Sequence, residues 1–159
     1  MTRTVTFAPV RKTIQIKASQ DRAFEVFATG RWWPKQHTLL GAGSPREELV
    51  IEPKAGGRWF ERGADGSECD WGKVLVWAPP DRLVLGWQIN GHFQADPSAT
   101  TEVELKFIPE GPETTRVELE HRHFERFGDT AEALRKGVDA PDGWGGVLRA
   151  FAQAAELPV

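Results

Sequence analysis

Two segments in the second half of the chain alternate apolar and polar residues almost without interruption. In residues 100–108 the more apolar face carries Thr101, Val103, Leu105 and Phe107. In residues 115–123 the corresponding face carries Val117, Leu119, His121 and His123. A period of two is typical of a half-buried strand. The two segments are therefore predicted to pair as antiparallel strands, with one face toward the core and the charged face toward water.

Similar patterns predict five further strands, at residues 10–17, 48–54, 58–62, 68–77 and 82–89. Glycine and proline separate these segments at strand-sized intervals. One strand leaves its orientation open. In residues 68–77, strict alternation places Trp71, Lys73 and Trp77 on one face and Val74 on the other, and a bulge would change this phase.

A short helix is predicted directly after the first strand. Ser19 is a suitable N-cap for it, and Gly30 is expected to end it. The tripeptide Trp32-Trp33-Pro34 then begins a second short helical piece or a turn.

The C-terminal part of the chain is predicted to be helical. Residues from Thr130 to Val138 form one or two turns, and Asp142 is expected to cap a final helix. The apolar residues of that helix fall at helical spacing; they are Val147, Leu148, Phe151 and Ala155.

These elements together predict an α+β architecture. Their order is a strand, two short helices, six strands and a long C-terminal helix. A curved antiparallel sheet of about six to seven strands, wrapped around the C-terminal helix, accounts for this order. Any space left between that helix and the concave face of the sheet would form a pocket.

Composition and charge narrow the class of protein. With 159 residues, of which 27% are charged and 40% hydrophobic, the chain is expected to form one globular domain over residues 1–159. The net charge of −3 offers no basic surface for nucleic acid. No apolar run approaches the roughly 20 residues of a membrane helix. A single cysteine and the lack of a signal-peptide pattern favour a cytoplasmic location.

Tryptophan is the unusual feature of the composition, because the chain has seven tryptophans and no tyrosine. Indole is large and mostly apolar, and its N–H needs a partner when buried. We therefore expect a wide apolar cavity or a broad sheet face lined with rings. Trp32 and Trp33 either gate the mouth of such a cavity or pack in the core.

Several short motifs occur in an order that resembles a known family. They are WWP at 32–34, EP at 52–53, GGRW at 56–59, GKV at 72–74, WAPPDRLVLGW at 77–87, TEVEL at 101–105, TRVELEH at 115–121 and GW at 143–144. This order, from about Arg11 to Ala155, resembles the activator of heat-shock protein 90 ATPase homologue family of the START/Bet v 1-like (SRPBCC) superfamily. The resemblance implies a helix-grip fold with a cavity between sheet and C-terminal helix. It implies no single activity, because the superfamily includes lipid carriers, hormone receptors and polyketide cyclases.

Thirteen side chains are candidates for lining that cavity, each with simple core packing as the alternative. They are Trp33, Trp59, Trp71, Trp87, Val103, Leu105, Phe107, Val117, Leu119, His121, Trp144, Leu148 and Phe151. Of these, His121 is the one that would anchor a ligand carboxylate or hydroxyl.

The remaining chemically capable residues do not form a recognisable active site. His121 and His123 have a spacing that suits one metal, but a third ligand is hard to name, so no metal or cofactor is expected. Cys69 lacks a neighbouring base and is expected to be a passive thiol. The glycines around Trp144, at 143–146, are expected to allow close packing rather than to bind an anion.

Three functions remain open at this point. The leading hypothesis is non-catalytic binding of a small hydrophobic or amphipathic ligand in the cavity. The second is a cyclase-like or hydrolase-like enzyme with His121 as general acid–base, and with Arg58, Glu68 or Asp70 at the rim. The third is a chaperone-binding or other partner-binding module, as the family name suggests. Homodimerisation is plausible in each case, because an open sheet leaves edges that can pair.

Overall fold

Seven strands form one antiparallel sheet in the order β1-β7-β6-β5-β4-β3-β2. The computed structural model describes residues 7–40 and 45–157. The strands are β1 (Val10–Ile16), β2 (Arg46–Ile51), β3 (Arg58–Gly63), β4 (Glu68–Ala78), β5 (Arg82–Trp87), β6 (Thr101–Gly111) and β7 (Thr114–Arg122). After β1 the chain crosses to the far edge and returns strand by strand until β7 pairs with β1. This is the predicted curved sheet of a helix-grip fold.

The pairing of β6 with β7 confirms the prediction from the alternating pattern. Val103 lies opposite His121, Leu105 opposite Leu119, and Phe107 opposite Val117. All six side chains are buried. The predicted position of His123 is wrong, however. Strand β7 ends at Arg122, and His123 has a left-handed φ of 72° that turns its side chain away from the apolar face.

Helix α1 (Gln20–Thr29) has the predicted caps. The Ser19 hydroxyl accepts from the Arg22 N–H at 3.2 Å. Gly30 ends the helix in the left-handed region, with φ 71°. A Cβ at Gly30 would lie 2.2 Å from the Leu49 carbonyl oxygen, so the position requires glycine for space as well as for conformation.

Of the two structures predicted to begin at Trp32-Trp33-Pro34, a short helical piece or a turn, the described residues form turns. The Trp33 N–H donates to the Gly30 carbonyl, and the His37 N–H donates to the Pro34 carbonyl. The physical reason is that the carbonyl oxygens of Trp33 and His37 accept from the buried Arg46 guanidinium. These carbonyls therefore accept hydrogen bonds from a side chain rather than from backbone N–H groups of a helix.

The C-terminal segment forms two helices, and the second carries the apolar residues at the predicted spacing but is shorter than the long helix expected. A 3₁₀ segment, Phe124–Thr130, leads into α2 (Ala131–Asp139), which agrees with the predicted turns. A π-helical turn, Pro141–Gly145, then precedes α3 (Gly146–Ala155). The predicted Asp142 cap is wrong, because Asp142 lies in the π turn and Gly145 holds the cap position. The cause is Gly143, whose ψ of −130° breaks the helical path.

Two register shifts settle the orientation of β4. They occur where β4 meets β3, between Trp59 and Phe60, and within β4, between Val74 and Val76. As a result Trp71, Val74 and Trp77 all belong to or pack against the core, while Lys73 is exposed. Strict alternation along residues 68–77 divides the side chains into two groups. Neither group faces inward as a whole, because each bulge exchanges the inward-facing and outward-facing positions.

The core lies between the concave face of the sheet and helices α1 and α3. Phe27 of α1 meets Phe151 of α3 edge-on at 5.1 Å, and Phe24 meets Phe107 of β6 at 5.1 Å. Within the described ranges, no helix is long and apolar enough to cross a membrane.

Candidate ligand-binding site

A cavity of about 280 Å³ opens at one end of the core. Three parts of the chain enclose it. The first is the segment 33–39, which we call the cavity loop. The second comprises Trp71 of β4 and the end of β5 with the loop that follows it, and the third runs from the end of α2 into α3. Most of the lining residues lie outside the strands, in segments that begin or end at a strand.

Four of the predicted cavity residues line this space: Trp33, Trp71, Trp87 and Trp144. Their rings contact one another mostly edge to face. Trp33 lies 5.7 Å from Trp71 and 5.8 Å from Trp144, and Trp87 lies 5.5 Å from Trp144. Edge-to-face contacts hold aromatic rings in defined orientations. The four indoles therefore form an ordered apolar wall rather than a loose cluster.

The other nine predicted residues are packed in the core and do not line the cavity. They are Trp59, Val103, Leu105, Phe107, Val117, Leu119, His121, Leu148 and Phe151. Each is at most 2% exposed. The reason is that rings from α1 and α3, such as Phe27 and Phe151, fill the concave face of the sheet. The cavity lies at the end of the sheet near Trp87.

His121 is buried in the core, and both of its ring nitrogens are hydrogen-bonded. Its Nδ1 accepts from the Trp144 indole at 3.1 Å, and its Nε2 lies 2.8 Å from the Thr101 hydroxyl oxygen. The Thr101 hydroxyl in turn donates to the Trp87 carbonyl. Burial lowers the pKa of His121 to about 3. Both nitrogens are satisfied and the ring is enclosed, so it cannot exchange a proton with a ligand in the cavity.

The titratable groups that do line the cavity are His37 and Asp142. The Trp33 indole donates to His37 Nδ1 at 3.2 Å, so a neutral His37 carries its proton on Nε2. Burial, and then the neighbouring Arg46 guanidinium, lower the pKa of His37, while Asp142 acts in the opposite direction. His37 is therefore a hydrogen-bond donor at the cavity wall.

Sequence reasoning missed the cavity loop, because its residues follow no periodic pattern. Gln36, His37, Thr38 and Leu39 all line the cavity. The only available signal was their position directly after the tryptophan pair. It also missed Ile89, Phe93, Gly137, Val138, Asp142, Gly143 and Val147.

Phe93 lies at the mouth of the cavity. The residue is 52% exposed, and its backbone has a left-handed φ of 57°. A Cβ at Gly137 would lie 2.7 Å from the Phe93 ring. Because Gly137 has no side chain, the Phe93 ring can pack directly against α2.

Two further candidates lie away from the cavity. Cys69 does not line it, and burial, with Glu61 and Asp70 nearby, raises the pKa of its thiol. Arg58 forms exposed ion pairs with Glu68 and Asp70 instead of contributing to a rim. No group of three or more metal-ligating side chains occurs within residues 7–40 and 45–157.

Two solved structures are similar to the chain in both sequence and fold. The anthrahydroquino-gamma-pyrone synthase Txn09 is 40% identical, with 94% of this chain and 97% of that chain covered and a TM-score of 0.64. The self-sacrificing resistance protein CalC from Micromonospora echinospora is 31% identical, with 92% and 93% covered and a TM-score of 0.64.

A third structure, the protein NE0264 from Nitrosomonas europaea, shares only the fold. It is 11% identical, with 92% of this chain and 93% of that chain covered and a TM-score of 0.62. No curated protein sequence matches the chain. The model of the family described as Activator of Hsp90 ATPase homolog 1-like protein matches residues 17–156. The chain therefore belongs to this family, with the ligand-binding type of fold that its sequence motifs predicted.

Proposed function

We propose that the cavity binds a small planar aromatic molecule with one polar edge, and that binding without chemical conversion is its function. The observation that carries this proposal is the wall of four indoles, Trp33, Trp71, Trp87 and Trp144. Flat aromatic faces and edges fixed in defined orientations favour a flat apolar ligand over a flexible chain.

The distribution of polar groups supports a ligand with a single polar edge. Gln36, His37, Thr38 and Asp142 contribute polar groups to a cavity that is otherwise mostly apolar. A few convergent polar groups in an apolar pocket are typical of small-molecule sites, in which they fix orientation. The volume of about 280 Å³ suits a compact ligand of a few fused rings.

The comparisons support the same ligand class. Txn09 is named for a product in which an anthrahydroquinone carries a pyrone ring, and that product is a fused aromatic system. The absence of catalysis is the second half of the proposal. It rests on the chemistry of the lining residues in the described ranges, which include no serine, cysteine or lysine nucleophile.

Titration with alizarin, a planar dihydroxyanthraquinone, tests the proposal by calorimetry and by tryptophan fluorescence. We expect saturable one-to-one binding that Val147→Phe abolishes, because Val147 lines the cavity and the larger ring would occupy it. Val117→Phe is the matched control, since it makes the same change in the core outside the cavity. Binding that survives Val147→Phe but not Val117→Phe would place the ligand elsewhere.

A cyclase-like activity is the second candidate, and two observations favour it. The chain is 40% identical to a synthase, and a neutral His37 carries its proton on Nε2 at the cavity wall, where a ligand carbonyl would replace the Asp142 backbone carbonyl as acceptor. Such a donor would polarise the carbonyl during ring closure. Incubation with linear and partly cyclised aromatic polyketides, followed by chromatography, tests it. Conversion that His37→Phe abolishes without loss of binding would replace the non-catalytic proposal.

Family membership alone assigns no partner to this chain. Chaperone binding and homodimerisation both stay predictions. Sedimentation of the purified protein, alone and with a heat-shock protein 90, measures both in one experiment.

A further inference from the structure

Two charged side chains are buried beneath the cavity loop. Glu61 of β3 is 0% exposed and Arg46 of β2 is 7% exposed. Taking a charge out of water is costly unless hydrogen bonds replace the lost hydration. The hydrogen-bond partners of these two side chains therefore indicate which part of the structure the buried charges stabilise.

The Glu61 carboxylate accepts three hydrogen bonds. Oε2 accepts from the Thr38 hydroxyl at 2.6 Å, and Oε1 accepts from the Leu39 backbone N–H at 2.5 Å. Oε1 also accepts from the Trp71 indole at 2.9 Å. Hydrogen bonds to an ionised acceptor are stronger than those between neutral groups. One carboxylate thus connects the cavity loop to the indole on β4.

The Arg46 guanidinium holds the other half of the loop. Nη2 donates to the Trp33 carbonyl at 2.6 Å, and Nη1 donates to the His37 carbonyl at 3.0 Å. The planar fork of arginine suits two acceptors at a fixed separation, which a lysine cannot reproduce. Neither Arg46 nor Glu61 itself lines the cavity.

All five partners of this pair line the cavity: Trp33, His37, Thr38, Leu39 and Trp71. We propose that Glu61 and Arg46 are positioning residues, which hold the cavity loop and Trp71 in the ligand-binding arrangement and thereby set the affinity for ligand. The effect on affinity rests on the proposed function. The ordering of the cavity loop does not, because it can be measured without any ligand. A wall that is ordered before binding costs less conformational entropy when the ligand arrives.

The decisive variant is Glu61→Leu, which leaves three donors without an acceptor. Two quantities are measured for this variant: hydrogen exchange of the Leu39 amide in the ligand-free protein, and the Kd for alizarin. We expect faster exchange at Leu39. We also expect a Kd raised by about tenfold or more, because the apparent affinity falls with the fraction of protein that has the loop in place.

Two further variants separate positioning from general stability. Glu61→Gln is the conservative rescue, because its amide oxygen accepts from Leu39 and Trp71 while its amide nitrogen donates to the Thr38 hydroxyl. We expect its Kd to stay close to that of the parent. Thr115→Val removes a buried hydrogen bond to the Ala18 carbonyl, outside the cavity, and we expect it to change neither readout.

If Glu61→Leu does not fold, Arg46→Lys decides the question, because it keeps the buried cation and loses the fork. Faster Leu39 exchange together with weaker binding supports the inference. Unchanged Leu39 exchange in a folded Glu61→Leu or Arg46→Lys protein overturns it. If the parent binds no alizarin, the proposed ligand class fails, while the exchange measurement still decides whether the pair positions the loop.

Discussion

The indole N–H of Trp144 donates to Nδ1 of His121, with 3.1 Å between the two nitrogens. A neutral His121 therefore carries its proton on Nε2, beside the Thr101 hydroxyl. Protonation of Nδ1 would place two N–H groups against each other in a site closed to water. The contact thus couples a cavity wall, Trp144, to a histidine whose burial disfavours its charged form.

The first prediction concerns the stability of the protein at acidic pH. The pKa of His121 is about 3 in the folded protein against a usual 6.5. Between these values the unfolded chain binds a proton that the native protein does not, so stability falls as the pH falls below 6.5. We expect a loss from His121 of about 1.4 kcal/mol per pH unit, or roughly 2 kcal/mol by pH 5. Urea unfolding at pH 7 and pH 5 measures it.

The control for this prediction is a pair of histidine variants. His121→Gln can still accept from Trp144 and donate to Thr101 but does not titrate, so its stability should depend less on pH. His92→Gln changes an exposed histidine and should leave the pH dependence as it is. An equally steep dependence in His121→Gln would mean that another group causes the acid sensitivity.

A second prediction tests the same contact from the cavity side. Trp144→Phe keeps an aromatic ring but removes the N–H, which leaves Nδ1 of buried His121 without a donor. We expect a loss of about 1–3 kcal/mol in the free energy of unfolding, measured in urea. Trp32→Phe is the matched control. Its indole donates to the Val26 carbonyl at a half-buried site, where water can replace the lost donor, so the loss should be smaller.

A third prediction concerns the mouth of the cavity. Gly137→Ala places a Cβ against the Phe93 ring, which must move. Because alanine is the better helix former, we expect the free energy of unfolding to stay equal or to rise by up to about 1 kcal/mol. The affinity for alizarin should change at the same time, as calorimetry would show. In a Phe93→Ala background the Gly137→Ala effect on affinity should vanish. An effect that persists there would exclude Phe93 as its cause.

A fourth prediction concerns the convex face of the sheet. Arg122 forms ion pairs with Glu102, Glu104 and Glu120 at 2.7–3.1 Å. Partial burial acts to raise the pKa of Glu104, but Arg122 and Arg82 hold it below its usual value. Removing Arg122 therefore leaves three carboxylates close together without a common cation.

For Arg122→Gln we expect a loss of roughly 1–2 kcal/mol at pH 7, between the values typical of exposed and buried pairs. The loss should shrink near pH 4, where the freed carboxylates take up protons. Arg116→Gln is the control on the same strand, with a more exposed side chain and two carboxylate partners. Chemical denaturation of both variants at the two pH values checks the difference.

The sheet could be predicted from the sequence because its side chains repeat with a period of two. Val103 and Leu105 pair with His121 and Leu119 as the alternation indicated. The pattern failed where a single residue interrupts the period. The bulges of β4 brought Trp71 and Trp77 inward while leaving Lys73 outside, and no composition rule marks such a position.

The site was less predictable, because most of its residues lie in segments without a period. His37 follows turns rather than a strand or helix, and Gly143 lies in a π-helical turn before the helix that the apolar spacing indicated. The sequence does carry one signal for the site. Glu61 lies two positions after Trp59, so alternation along β3 directs its carboxylate to the same face as that buried indole.

The walls of the cavity come mostly from the loop 33–39, the segment around Phe93 and the kink at Gly143, while the sheet behind them carries its own core. Substitutions at exposed lining positions such as Gln36 and Phe93 can alter what the cavity accepts with little cost to the strands, since loops tolerate change better than the elements they connect. New ligand preferences are therefore accessible to evolution by short mutational paths. Directed libraries confined to such exposed lining positions should retain folded members at a high rate.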